Sequence, residues 1–445
     1  MGTKRVLLSM ALFFLAMNVF AQDTKNLSLN EAIELSIKNS KQLKVSTAKI
    51  QEATASLTEA IQRRLPDASV TGSYMKLSNA NVSLKTQQQS GGGGNNGGGG
   101  GTPKISQAMY GIANVGLPLY TGGKIRYGIE SSRFLAEAAK LDADNDKENV
   151  IENTVEAYVN LYKARKAVDL VTANLTGAKQ RVKDFTNLEQ NGLLARNDLL
   201  KAELQESNTE LSLLDAENNW ELANLNMNLM LGLPDKTVLT LDSTIVNQNF
   251  KAEALDDYVQ SAIKNRKDVQ SLDLRKQAAE SGVKVTRGDY YPNVQLSGGY
   301  IAADIPKFLT ITNAVNIGVG FSYNIGSLWK TKAKVEGAEA RVREVQANEE
   351  LLNDNIRLQV NKAYLNFLSS QKKIDVNATA VQQADENYRI INNKYQNGLA
   401  TTTDLLDADV ARLQAHMNYE FSRADVVVSY NQLLHAAGQL SQATK

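Results

Sequence analysis

The sequence predicts a mainly α-helical chain that carries one structural unit twice, each unit joining a pair of amphiphilic β-strands to a long helical hairpin. Three observations predict it. Two segments of helical pattern, about 124–190 and 328–396, run without a proline. Each ends in Asn-Gly-Leu, with Asp-Leu-Leu six residues after the glycine: Gly192-Leu193 leads to Asp198-Leu199-Leu200, and Gly398-Leu399 to Asp404-Leu405-Leu406. Each is preceded by two stretches in which apolar residues alternate with small polar ones.

The chain has 445 residues and a formal net charge of +1, a balance that gives no electrostatic footprint for nucleic acid. It has no cysteine, which excludes disulfides and thiolate chemistry. Residues 1–21 read as a signal peptide: Lys4 and Arg5 precede the apolar run from Val6 to Val19, and Val19-Phe20-Ala21 suits cleavage before Gln22. That run is short for a spanning helix, and no later one is long and apolar enough. A mature protein living in a membrane would then do so as a β-barrel.

The first unit covers 22–250 and the second 251–445. Residues 29–44 align with 255–270 at an offset of 226, and Pro66 recurs as Pro292. Ala157-Tyr158 recurs as Ala363-Tyr364 at an offset of 206, as do the tips, so the first unit holds 20 extra residues. Most of them are a Gly-rich tract, a polar loop over 87–106 without the Gly-Lys-Ser/Thr ending of a phosphate loop.

Each unit opens with one amphipathic helix, about 29–64 and 255–289. Strands follow at about 66–84 and 107–120, and again at about 292–302 and 311–326. In the last, Val315, Ile317, Val319 and Phe321 alternate with Asn316, Gly318 and Gly320. The helical hairpins span 124–231 and 328–440. Their long helices would each extend about 100 Å, more than a globular core covers. Heptad spacing through Ala164, Val168, Val171, Leu175, Ala178, Val182 and Phe185 points to coiled-coil packing. Leu406, Val410, Leu413 and Met417 form the stripe of the second returning helix. Gly192 and Gly398 end the long helices in the left-handed conformation; Asn197 or Thr403 is the expected cap of the returning ones, with Asp198 or Asp404 in the first turn.

Four strands with one apolar face fit a transmembrane barrel better than a soluble sheet, because the helices use their apolar stripes on one another. Four are too few to close a lumen, so closure needs several chains.

With this order on the page, the sequence resembles the TolC-like outer-membrane efflux protein family over nearly its whole mature length. The resemblance implies a homotrimer whose 12-stranded barrel, four strands per chain, contacts outer-membrane lipid above a periplasmic α-helical barrel. It implies a passive exit duct for tripartite efflux or type I secretion, gated at the helical tips. A periplasmic adaptor and an inner-membrane pump would be its partners; no cofactor, metal or enzymatic chemistry is implied.

Family roles transfer where residues match. Asp404 and Asp407 match two aspartates, one helical turn apart, that ring the periplasmic entrance; a trimer would gather six carboxylates there. The alternative makes Asp404 a helix cap and Asp407 a solvated face residue. Asp198 and Tyr395 match a gate latch, against a first-turn aspartate and a stripe tyrosine. The position of the arginine that joins this latch in the family is Ala400 here, so the resemblance implies either a closed state held by fewer bonds or Arg196 of the other tip as a stand-in. Gly192, Leu193, Gly398 and Leu399 match the tips that meet the adaptor. A periplasmic coiled-coil adaptor or scaffold without a pore is the alternative function. His416 and His435 read as helix-surface residues, and Asp142, Asp144 and Asp146 as a solvated face.

Overall fold

The computed structural model describes residues 24–81, 104–306 and 309–440. The expected signal peptide and most of the Gly-rich loop lie outside them. The described residues are mainly helical: α1 (Leu29–Asn39), α2 (Lys41–Gln62), α3 (Lys124–Gln190), α4 (Arg196–Leu231), α5 (Leu255–Asn265), α6 (Lys267–Arg287), α7 (Ser327–Gln396) and α8 (Thr402–Ala436). The strands are β1 (Thr24–Leu27), β2 (Asp67–Asn81), β3 (Lys104–Tyr120), β4 (Val238–Leu241), β5 (Asn293–Ile305) and β6 (Leu309–Ser322).

Two expectations need correction, and one element was not expected. The opening helix of each unit is two helices. Ser40 turns extended (ψ 122°), and its Oγ accepts the Leu43 N–H at 3.2 Å, so one residue ends α1 and caps α2. Arg266 likewise turns extended (ψ 135°) and ends α5 before α6, its side chain donating to Asp268 at 2.7 Å and to the Ala436 carbonyl at 3.2 Å. Residues 104–106, expected in the loop, belong to β3. The short parallel pair β1–β4 was not anticipated, because four-residue strands carry too little pattern to read.

The chain forms two compact units. One comprises residues 50–139 and 272–348, the other the remainder. The first holds an antiparallel sheet of order β2-β3-β5-β6. Its register gathers the apolar residues on one face: Val70 opposite Ala113, Ala113 opposite Tyr300, Tyr300 opposite Val315. On that face Val70, Val315 and Ile317 are 85%, 75% and 84% exposed. Among the described residues no other layer covers it, so burial within this chain is not what selected these residues. The opposite face carries Ser69, Asn114, Gln295, Ser297 and Asn316. There Gly299 admits its neighbours: a Cβ would stand 2.6 Å from Asn316 Oδ1 and 3.0 Å from Asn114 Oδ1. Within one chain the sheet does not close; β2 and β6 are its open edges. Where helices meet the sheet, Asp289 takes Lys124 at 2.9 Å and Lys334 at 3.0 Å, which hold its carboxyl below the usual aspartate range.

The second unit holds the hairpins. Its core gathers Tyr158, Leu161, Met227, Ile356, Phe367 and Leu433, all fully buried. Tyr158 on α3 donates to the Leu27 carbonyl at 2.9 Å and accepts the Asp242 N–H at 3.1 Å, tying α3 to both strands of the β1–β4 ribbon at one end. Burial pushes its hydroxyl up to about 12, so it stays a donor at any physiological pH. Polar bonds fasten α3 to α8: Glu156 to Gln432 at 2.6 Å, Glu152 to His435 at 2.6 Å, and Lys163 to Asp425.

Two further sequence expectations fail here. His416 and His435 are not free surface residues; Nε2 of His416 lies 3.0 Å from Asp385, which Arg412 also engages at 2.6 Å. Nor are the Asp142 and Asp146 carboxylates merely solvated. They accept the buried hydroxyls of Ser271 and Ser46, each at 2.6 Å. In both cases a charged residue on a long helix met a neighbour from a distant stretch, which periodicity alone does not announce.

Candidate functional site: the helical tips

Each tip is a short turn between a long helix and a returning one. Gly192 and Gly398 both take φ 72°, where a side chain would be strained. The following leucine then bonds back across the turn: Leu193 N–H to the Leu188 carbonyl, and Leu399 N–H to the Lys394 carbonyl, both at 2.8 Å. With Gly192 N–H on Glu189 (2.9 Å) and Gly398 N–H on Tyr395 (3.0 Å), each tip is a Schellman turn. That motif fits a hydrophobic residue after its glycine, yet Leu193 and Leu399 point outward, 75% and 76% exposed. Neither leucine joins a core cluster among the described residues.

The two tips begin their returning helices differently. Thr401, not Thr403, caps α8, and Asp404 closes a capping box with it. The Asp404 N–H donates to Thr401 Oγ1 at 3.2 Å, and Asp404 Oδ2 accepts the Thr401 N–H at 2.8 Å. These bonds hold the Asp404 carboxyl below its ordinary range. The turn closes two residues earlier than expected, which puts Asp404 at the third helical position. At the other tip Ala195, not Asn197, is the cap, and no side chain satisfies the first amides of α4.

Asp404 and Asp407 are both exposed and lie three residues apart on α8. Asp407 makes no hydrogen bond or ion pair among the described residues, so its carboxylate is available to solvent.

Asp198 and Tyr395 are not bonded to each other. Asp198 accepts from Lys201 Nζ at 3.3 Å, and the same ammonium reaches Thr403 Oγ1 at 3.3 Å. Asp198 therefore meets the second tip through Lys201. Tyr395 instead stacks on Phe185 of α3, ring centroids 5.6 Å apart. That stack borders a small core of Phe185, Leu199, Ala202 and Leu405, flanked by Tyr388 and Ile391, which joins the hairpins near their ends. Arg196 turns to Glu189 of its own tip at 3.9 Å and does not reach across.

The most buried ion pair between the hairpins among the described residues was not among the expected site residues. Arg181 of α3 reaches Asp409 of α8 at 3.1 Å, with their side chains only 11% and 13% exposed. Asn174 adds a bond to the same Oδ2 at 3.3 Å. A signal was present: Asp409 falls one turn after Leu405, on the buried face of α8. Val410, taken as part of the apolar stripe, is 46% exposed, so the true stripe is rotated toward Asp409. Among the described residues no group of three or more His, Asp or Glu side chains is placed to hold a metal ion. No helix among them is long and apolar enough to cross a membrane.

Comparison with known proteins accords with this geometry. Over 394 residues the chain is 21% identical to the outer membrane efflux protein BepC of Brucella suis biovar 1 (strain 1330), covering 87% of this chain and 85% of that one. Its fold matches the outer membrane protein VceC of Vibrio cholerae with a TM-score of 0.75 at 20% identity, covering 92% and 96% of the two chains. It also matches the CmeC outer membrane channel of Campylobacter jejuni with a TM-score of 0.76 at 19% identity, covering 93% and 86%. The model of one family, the outer membrane efflux proteins, matches residues 32–233 and again 258–439, once over each helical hairpin and its leading helices. The chain belongs to the outer membrane efflux protein family.

Proposed function

We propose that this outer-membrane protein is the exit duct of a tripartite export system, passing substrates across the periplasm and outer membrane without chemistry of its own. The observation that carries the proposal is the open four-stranded sheet: one face is apolar and exposed, the other small and polar, and both edges are unpaired. A sheet of that kind is stable with its apolar face in lipid and its edges paired to other copies. Three chains would supply twelve strands. Twelve is an even number, within the range of such barrels, and wide enough for a water-filled lumen.

In this reading residues 1–21 are a cleaved export signal, and the chain is two copies of one unit, 22–250 and 251–445. The element order supports the duplication, as do the matched helix breaks at Ser40 and Arg266, 226 residues apart. Asp404 and Asp407 line the periplasmic mouth, where charge repeated by symmetry attracts cations. Gly192, Leu193, Gly398 and Leu399 meet a periplasmic adaptor, which couples the duct to an inner-membrane pump. The sequence match to Asp198 and Tyr395 supports a latch between the tips, with Lys201 as the connecting cation on the Asp198 side.

Fractionation tests the reading. The native protein should sediment with outer membranes and run as a trimer that collapses to monomer on heating. A soluble periplasmic monomer would overturn it and favour the pore-less adaptor.

A further inference from the structure

Two consecutive arginines follow α2 and turn to opposite faces of the sheet. Arg63 bonds Glu59 at 2.8 Å and lines a groove with Ser69, Asn114 and Ser297 of the polar face. Arg64 lines another groove, of about 880 Å³, which runs from Leu119 and Tyr120 at the foot of the apolar face along the first turns of α3. Ile129 and Phe134 give this groove an apolar wall, and Arg126, Glu130, Arg133 and Glu137 add charge to it. The foot of the apolar face is marked by aromatic rings. Tyr120 stands opposite Val294, and Val294 opposite Phe321, in a row across the end where each strand of this sheet joins a helix. Tyr120 and Phe321 are 46% and 69% exposed, and Trp329 in the first turn of α7 is 65% exposed. Exposed aromatic rows of this kind sit where hydrocarbon gives way to headgroups.

We infer that this groove binds the headgroup of a phospholipid that carries both a phosphate and a primary ammonium, as phosphatidylethanolamine does. The inference rests on the lipid-facing reading of the sheet given above and names a ligand at its border. Arg64 and Arg126 take the phosphate, whose oxygens suit the guanidinium fork. Arg126 stands over the Tyr127 ring, 5.7 Å from its centroid, a contact that orients the cation without neutralising it. Glu130 follows one helical turn later, about 6 Å along α3, and takes the ammonium at the end of the ethanolamine arm. Arg126 and Glu130 have the spacing to pair with each other, as have Arg133 and Glu137. Neither pair forms, and cation-first is the weaker order for such a pair on a helix. Among the described residues Arg64, Glu130, Arg133 and Glu137 make no hydrogen bond or ion pair. The groove thus offers charges of both signs that the chain does not pair within itself. A zwitterionic headgroup matches both, whereas a purely anionic one meets Glu130 as a like charge. The acyl chains continue over Leu119 and Tyr120 onto the apolar face, where the hydrocarbon already lies in this reading.

Native mass spectrometry of the detergent-released full-length assembly reads lipid occupancy and assembly in one spectrum. With phosphatidylethanolamine and phosphatidylglycerol supplied in equal amounts, the wild type should retain phosphatidylethanolamine in preference, up to one per chain. Arg64→Gln/Arg126→Gln should lower retention of both lipids by about tenfold or more, the usual weight of bonds to a charged group. Glu130→Gln should erase the preference and keep phosphatidylglycerol binding. Arg63→Gln, on the other face, should change neither. Undiminished retention by the double variant would overturn the site, as would a wild type without preference. If the double variant does not assemble, Glu130→Gln decides alone, and a preference that survives it overturns the site. Displacement of the lipid by soluble glycerophosphoethanolamine would also overturn it, because the ligand would then be a free phosphoester. A trimer that retains no lipid would sink the site and leave the duct untouched. A soluble monomer that never enters membranes would sink the lipid-facing sheet as well.

Discussion

Asp409→Ala is the substitution most informative about gating. It removes the carboxylate that Arg181 reaches at 3.1 Å and leaves a guanidinium only 11% exposed with no other partner among the described residues. Two unit charges about 4 Å apart attract by about 4 kcal/mol at an effective dielectric of 20. Breaking a buried pair typically costs about 3–5 kcal/mol. The contact is one ordinary hydrogen bond, so the lower figure, about 3 kcal/mol, is the better expectation. The pair joins α3 to α8 close to the tips, and parting the hairpins to open the duct would break it. Destabilising the joined state by about 3 kcal/mol shifts the equilibrium roughly a hundredfold toward the parted one. Single-channel recording in planar bilayers should then show a larger conductance or a far longer open time. Arg181→Leu/Asp409→Leu, which replaces the pair by apolar groups, should return most of the way to the native record. If Asp409→Ala leaves conductance and open time unchanged, the ion pair does not resist opening and the reasoning fails.

Other expectations are more compact. Asp407→Asn should halve the charge proposed for the entrance without touching the capping box, and a salt gradient across the bilayer should show reduced cation preference; an unmoved reversal potential would return Asp407 to the solvated face of a helix. Ile317→Lys, on the apolar face at 84% exposure, should cost roughly 2–4 kcal/mol per chain in lipid and deplete the protein from outer membranes, whereas Gln295→Lys on the polar face should be tolerated. Equal tolerance of both would contradict the lipid-facing assignment. Asp289 has a lowered pKa in the folded protein, so its contribution to stability is present above the ordinary aspartate value of about 3.9 and is lost as pH falls through the folded value. Acid unfolding of Asp289→Asn should therefore depend less steeply on pH in that range, and an unchanged slope would show that Lys124 and Lys334 do not stabilise the fold through it.

The long helices and the strand pair of the second unit were legible because their patterns are long and single-purpose. Sixty-seven residues of α3 without a proline leave few alternatives, and Val315 to Phe321 alternates without exception. The tips were legible for the same reason, since Asn-Gly-Leu marks a helix end whatever surrounds it. What escaped was decided at close range or at long range. Ser40 and Arg266 break their helices through one torsion each and bonds that no period reveals. Thr401 rather than Thr403 caps α8 because Asp404 reciprocates at a spacing of three. Arg181, Asn174 and Asp409, or Asp198, Lys201 and Thr403, come together only once the hairpins lie side by side. Charged residues near an apolar seam read as solvated until the neighbouring helix is known, and the site is built largely of such residues.

Conductance of the purified native assembly in a planar lipid bilayer tests the central claim most directly. A stable trimer should insert and pass ions in discrete steps, with larger steps when Arg181 and Asp409 no longer meet. A protein that remains a soluble monomer and leaves the bilayer silent at any concentration would contradict the account, because its apolar sheet face and open edges would then need a different cover.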